Sequence, residues 1–221
     1  EDYFSDTIKA INNRHDQSQP LFLSLSYDTD ILAFEKIFPY CRHWINFAHN
    51  HENFIGEIRT KSTNFSALSD LYPTTRILFA WTLSPSQIAK KYEFDAPSPQ
   101  SRLNSALTAV QRGWRIRLSF DPVILENGWK LLYEKCVHEA FDLLPLDSIY
   151  DATVGPFRMS SDHLRKARKS RPQYPILQRD WHVVDGVASL PPDQLEEVSS
   201  FMFELLSKRL PSERISMWSC Q

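Results

Sequence analysis

The chain has 221 residues, 42% of them hydrophobic and 13% aromatic, enough to bury one substantial core or a large part of a barrel. Its 25 basic and 27 acidic side chains nearly cancel, which excludes a globally polycationic binder and leaves any contact with a polyanion to a local patch. No stretch approaches the roughly 20 apolar residues of a membrane span, and no basic segment followed by an apolar core opens the chain, so a cytoplasmic protein without membrane contact is expected.

In chain order, Phe4 to Asn12 has helical spacing, Pro20 marks a break, and Leu21 to Tyr27 reads as a first strand. Ile31, Phe34, Phe38, Cys41, Ile45 and Ala48 recur at helical intervals and predict one long helix with a buried face. Phe54 to Ile58 is the next strand, ending in Arg59-Thr60-Lys61-Ser62. A short helix from Phe65 to Leu71 stops at Tyr72-Pro73, and Ile77 to Leu83 is a continuous apolar run suited to a sheet covered on both faces. Ser98-Pro99 is a helix start, and Leu103, Ala106, Leu107 and Val110 make its stripe before Gly113. Trp114 to Phe120 is a strand closed by Asp121-Pro122. Trp129 to Leu144 is a helix, Ile149 to Val154 a strand before Gly155-Pro156, and Ser161 to about Lys169 a basic helix. Trp181 to Val187 reads as an irregular or hairpin segment with Asp185-Gly186 in a turn, Leu195 to Leu206 as a last helix and Ile215 to Trp218 as a last strand.

Strands alternating with amphipathic helices predict an α/β fold with a parallel sheet, a partial TIM-type (β/α) barrel over residues 1–171, with an α+β extension over 172–221 packed on it. Such barrels build their sites at the C-terminal ends of strands, where this chain places Tyr27, Asp28 and Thr29, then Thr60 to Ser62, then Thr82 and Ser84, then Asp121, then Arg158. Ordinary polar loops give the same pattern. The cysteines, Cys41, Cys136 and Cys220, are too far apart in sequence for a metal knuckle, and two of them sit on apolar helix stripes. His43, His49 and His51 lack the spacing of a zinc pair, so no metal site is assigned.

A series of short motifs, in order, resembles the spore photoproduct lyase family of radical S-adenosylmethionine enzymes. They are Ile58-Arg59-Thr60-Lys61-Ser62, Trp81-Thr82-Leu83-Ser84-Pro85, Lys91-Tyr92-Glu93-Phe94, Arg102-Leu103-Asn104-Ser105-Ala106, Gly113-Trp114, Phe120-Asp121-Pro122-Val123-Ile124 and Gly128-Trp129. The resemblance implies a partial barrel in which a cysteine triplet after the first strand holds a [4Fe-4S] cluster. That cluster binds S-adenosylmethionine and cleaves it to a radical that reverses a thymine photoproduct in DNA. No cluster ligands are found in this chain. It starts without methionine and runs straight into a helical pattern, so the resemblance implies the barrel part of a longer enzyme, inactive alone, whose missing N-terminal segment carries the cluster.

Carried over residue by residue, the resemblance gives Lys61 to the carboxylate of S-adenosylmethionine and the hydroxyls of Thr29 and Thr82 to its polar groups, with Asp121 on the wall near the adenosine. The bare alternative for Lys61 is a solvated lysine. Tyr27 stands where the family has the cysteine that returns a hydrogen atom; its phenol is a candidate donor, and a structural tyrosine is the alternative. The hairpin from Arg179 to Gly186 has lost most of the family's cationic charge, which weakens the case for tight DNA binding. A local patch remains: Arg158, Arg165, Arg168 and Lys169, with Lys166 and Arg171 beside them, could track a phosphate backbone, or could be a solvated helix face. The rival to a lyase is a non-catalytic module that kept the barrel and binds nucleic acid or protein through this helix. An open sheet edge would also suit a homodimer.

Overall fold

The computed structural model describes residues 2–16, 18–26 and 29–218. Six parallel strands follow one another across a single sheet in sequence order: β1 (Leu21–Ser24), β2 (Phe54–Thr60), β3 (Ile77–Thr82), β4 (Ile116–Val123), β5 (Ile149–Pro156) and β9 (Ile215–Met217). The sheet curls into a half-barrel, the expected partial (β/α) architecture. Helices α1 (Asp2–Asn12), α2 (Tyr40–His49), α3 (Ser86–Tyr92), α4 (Pro99–Gln111) and α5 (Trp129–Leu143) precede or join the first five strands. After β5 the chain forms β6 (Arg158–Ser160) and the basic helix α6 (Ser161–Ser170). The hairpin β7 (His182–Val184) and β8 (Val187–Ser189) follows, then α7 (Pro192–Ser207). Strand β8 pairs with both β6 and β7 in a small antiparallel sheet, while β9 returns to the main sheet beside β5, so residues beyond 171 contribute to both. No helix among the described residues is long and apolar enough to cross a membrane.

Alternation along the strands separates two faces. Toward the helices point Ile58, Phe79, Trp81, Leu118 and Phe120, all fully buried. Phe65, Phe79 and Trp114 pack edge to face at ring separations of 5.2 and 6.2 Å, and Trp81 donates its indole N–H to the Ser62 carbonyl at 3.2 Å. On the concave face the same strands place charge: Glu57 and Arg59 on β2, Arg117 and Asp121 on β4, and Asp151 on β5.

Three sequence readings change. The helix expected from Ile31 begins only at Tyr40: residues 31–38 are a series of turns, Phe34, Ile37 and Phe38 are exposed, and Pro39 precedes the first helical residue. The cause is local. Glu35 folds back so that its carboxylate accepts from the Cys41 and Arg42 backbone N–H groups at 2.7 and 3.1 Å, satisfying the free donors at the start of α2. Strand β4 starts at Ile116 and runs through Asp121-Pro122 to Val123, with a register shift against β5 and a cis peptide bond at Pro122. Strand β5 likewise continues through Gly155 to Pro156. The Ser98 cap is as expected, its hydroxyl accepting from the Ser101 N–H at 3.2 Å. So is the hairpin turn, in which Asp185 (φ 50°) and Gly186 (φ 77°) both take the left-handed conformation that a two-residue hairpin loop requires.

Candidate functional site

The C-terminal ends of β2, β3 and β4 open into two adjoining clefts of about 740 and 460 Å³, and Lys61, Tyr92, Glu93 and Phe94 line both. The first is bordered by Asp30, Ser62, Asn64 and Arg171. The second has an apolar floor that includes Ile124, Phe157 and Leu177, with His163 and Lys166 of α6 at its rim.

Lys61 follows the last residue of β2, and its ammonium lies 3.3 Å from Glu93 Oε1. Its side chain is 34% exposed, against 7% for Glu93. Glu93 caps the end of α3, where its Oε1 also accepts from the Ser84 hydroxyl at 2.7 Å. Its Oε2 is bonded by the guanidinium of Arg102, a side chain with no exposure at all. Arg102 spends its other donors on two carbonyls, those of Pro97 at 2.8 Å and Thr82 at 3.1 Å. Burial pushes the Glu93 carboxyl up, but the Lys61 and Arg102 charges and the Ser84 and Arg102 hydrogen bonds outweigh it and hold the group below its ordinary value. Four of the short motifs read from the sequence therefore meet in one network. Glu93 and Arg102 were quoted there without a role. Their signal was an acid and a base nine residues apart, one ending a helix and one on the apolar side of the next.

Asp30 supports the same strand end. Its carboxylate accepts from the Thr60 hydroxyl at 2.8 Å and from the Lys61 backbone N–H at 2.7 Å. Thr29 is exposed beside it, Thr82 is buried at the end of β3, and Tyr27 lies outside the described residues. Asp121 is not at the clefts but on the concave face, where it accepts from Arg59 at 3.1 Å and from both terminal nitrogens of Arg158 at 2.8 and 3.1 Å. Arg158 in turn lies over the Trp218 ring at 4.6 Å. Deeper in the sheet, Arg117 bonds Glu57 and forms a fork with Asp151 at 2.6 Å on each side. Gly155 sits against the Asp121–Arg158 pair: a Cβ there would come within 2.6 Å of Arg158 and 2.8 Å of Asp121. Between the two charged layers, the Ser119 and Thr153 hydroxyls, register partners on β4 and β5, are buried without a protein partner.

The basic helix divides by function. Arg168 donates to the Leu177 and Arg179 carbonyls at 2.6 and 2.8 Å and fastens the chain that follows α6, whereas Arg165 is exposed and paired with Asp162 at 2.9 Å. Lys169 is exposed. Cys41 and Cys136 are buried on α2 and α5. Burial, with Glu35 adding, raises the Cys41 thiol, and burial, with Glu139 adding, pushes Cys136 up to about 12. His49 and His51 each place a ring nitrogen on a backbone carbonyl, of Tyr72 at 3.3 Å and Phe47 at 2.7 Å.

No protein-family model and no curated protein sequence matches the chain. Solved structures do. A spore photoproduct lyase double mutant with bound AdoMet and dinucleoside spore photoproduct is 14% identical, with a TM-score of 0.82 over 99% of this chain and 66% of that one. A single mutant of spore photoproduct lyase is 15% identical, with a TM-score of 0.84 over 97% of this chain and 64% of that one. Spore photoproduct lyase complexed with dinucleoside spore photoproduct is 16% identical, with a TM-score of 0.81 over 97% and 64%. The chain thus spans slightly less than two thirds of the length of these proteins, and over that length it has the fold of spore photoproduct lyase, as the sequence motifs implied.

Proposed function

We propose that this chain is the cofactor- and substrate-holding part of a radical S-adenosylmethionine lyase that acts on thymine photoproducts in DNA or on a related nucleic-acid base, and that it is inactive alone. The observation that carries the reading is the Lys61 ammonium at the end of β2, turned to a cleft of about 740 Å³ and tied on one side only, to Glu93. An ammonium has three donors; one is used here, and two remain for a ligand carboxylate.

The residues present fit S-adenosylmethionine. Lys61 would take its carboxylate, Thr29 and Thr82 would offer hydroxyls, and the unpartnered Ser119 and Thr153 hydroxyls add unused bonding capacity on the concave face. When bound, that cofactor supplies a sulfonium whose cleavage gives the reactive group. These residues do not fit a [4Fe-4S] cluster, since the two described thiols are buried on separate helices and held protonated. What the chain itself does is bind, orient and exclude water.

Isothermal titration with S-adenosylhomocysteine, which keeps the carboxylate but cannot be cleaved as a sulfonium, tests the reading. Binding that weakens at least about tenfold in Lys61→Ala supports it, and the absence of binding to the unaltered chain overturns it. Anaerobic treatment of this chain with iron and sulfide should give no cluster absorbance. A second reading, a module that binds nucleic acid without chemistry, is favoured by the exposed Arg165 and Lys169 on α6. Salt-dependent DNA binding by a chain that ignores S-adenosylhomocysteine would establish it.

A further inference from the structure

We propose that Glu93, clamped by Arg102 and Ser84, is the positioning residue of this site: it fixes the Lys61 ammonium so that two of its donors face the cleft and meet a ligand carboxylate. The inference rests on the reading of Lys61 as a carboxylate donor and adds what makes it one.

Lysine is a poor recognition group unaided, because its long stem holds many rotamers and ordering it on binding costs affinity. Here the ordering is built in. Glu93 has both oxygens in use, Oε2 with Arg102 and Oε1 with Ser84 and Lys61, so its own position is fixed before any ligand arrives. Arg102 cannot move to release it, being fully buried and held to the Pro97 and Thr82 carbonyls as well. The chain of contacts runs from the end of β3 through α4 and α3 to the end of β2, all rigid elements. The carboxylate of Asp30, at the same cleft, is occupied by Thr60, Ala33 and the Lys61 backbone, which leaves the Lys61 ammonium to Glu93.

The test compares S-adenosylhomocysteine with 5′-methylthioadenosine, which carries the same nucleoside thioether but no carboxylate. Glu93→Gln is expected to weaken the first about tenfold and leave the second unchanged, and to add nothing once Lys61 is already methionine. Ser84→Ala, which leaves the Arg102 contact in place, should move the same ratio in the same direction by less, and it guards against a Glu93 variant that fails to fold. Equal weakening of both ligands, or a full Glu93→Gln effect in the Lys61→Met background, would overturn the proposal. A ligand-free readout separates it from the functional reading. In ¹⁵N spectra of the lysine ammonium groups, Glu93→Gln should speed hydrogen exchange at Lys61 Nζ. If the unaltered protein binds neither ligand, the functional reading fails while this signal still decides whether Glu93 holds Lys61; an unchanged signal sinks the positioning role.

Discussion

Two charged networks lie within one half-barrel, and they are built to opposite ends. On the concave face Glu57, Arg59, Arg117, Asp121, Asp151 and Arg158 alternate in sign, equal in number, and each guanidinium meets a carboxylate. At the mouth Arg102, Glu93 and Lys61 form a chain that is closed at its buried end and open at its exposed one. The first has no charge left to offer and cross-links β2, β4, β5 and the segment after them. The second keeps a cation whose other donors are free for a ligand. Identical chemistry becomes structural or functional according to whether its last member is satisfied.

Breaking the buried end of each network should cost most. Arg102→Met leaves the Glu93 carboxylate in a dry site with only Ser84 and a half-exposed lysine, and is expected to lower stability by roughly 3–5 kcal/mol, read as a drop in urea midpoint at constant slope. Arg117→Met leaves Asp151 without its fork and Glu57 with Arg59 alone, and should cost about 3 kcal/mol, with part of the loss recovered by adding Glu57→Gln, since the two acids then cease to repel. Acid should undo the mouth. The Glu93 carboxyl is held below its ordinary value of 4.5, so its contribution is complete above that pH and disappears as pH falls through the lowered value. Stability curves of the parent and of Glu93→Gln should therefore converge as pH falls through that lowered value; parallel curves would show that folding does not lower the Glu93 pKa. The smallest effect on stability belongs to Lys61→Ala, expected within about 0.5 kcal/mol because Glu93 keeps Arg102 and Ser84. That variant sharpens the contrast, since it should abolish carboxylate binding with the fold intact.

Elements whose identity depends on local pattern were legible in the sequence. The continuous apolar run at Ile77, the Ser98-Pro99 start and the Asp185-Gly186 turn each carry their own cause within a few residues. The turns at residues 31–38 were not legible, because the apolar spacing there is helical and the deciding contact is a single carboxylate, Glu35, reaching forward to cap α2. At the site, Lys61 was singled out by its place after a strand and by its motif, whereas Glu93 and Arg102 became partners only through tertiary contact. Arg102 in particular lies beside the apolar stripe of its helix, and what its charge meets there becomes visible only once α4 is seen laid against β3. The concave charges had a visible trace, polar residues two apart in Glu57-Ile58-Arg59 and in Arg117-Leu118-Ser119-Phe120-Asp121. Apart from Arg59 with its neighbour Glu57, their pairings span 34 to 62 residues, as in Arg117 with Asp151 and Arg59 with Asp121, and no local window along the sequence contains them.

The hydrogen atom that Gly155 carries in place of a side chain is a spacer for a salt bridge. Asp121 and Arg158 occupy the volume that any other residue at 155 would claim, so a single uncharged methyl group there would push the pair apart and loosen Arg158 from both its carboxylate and its seat on Trp218. The half-barrel would gain a loose cation on its inner wall without any change in its charged residues. Whether its interior charges stay paired is thus decided at a position that carries no charge.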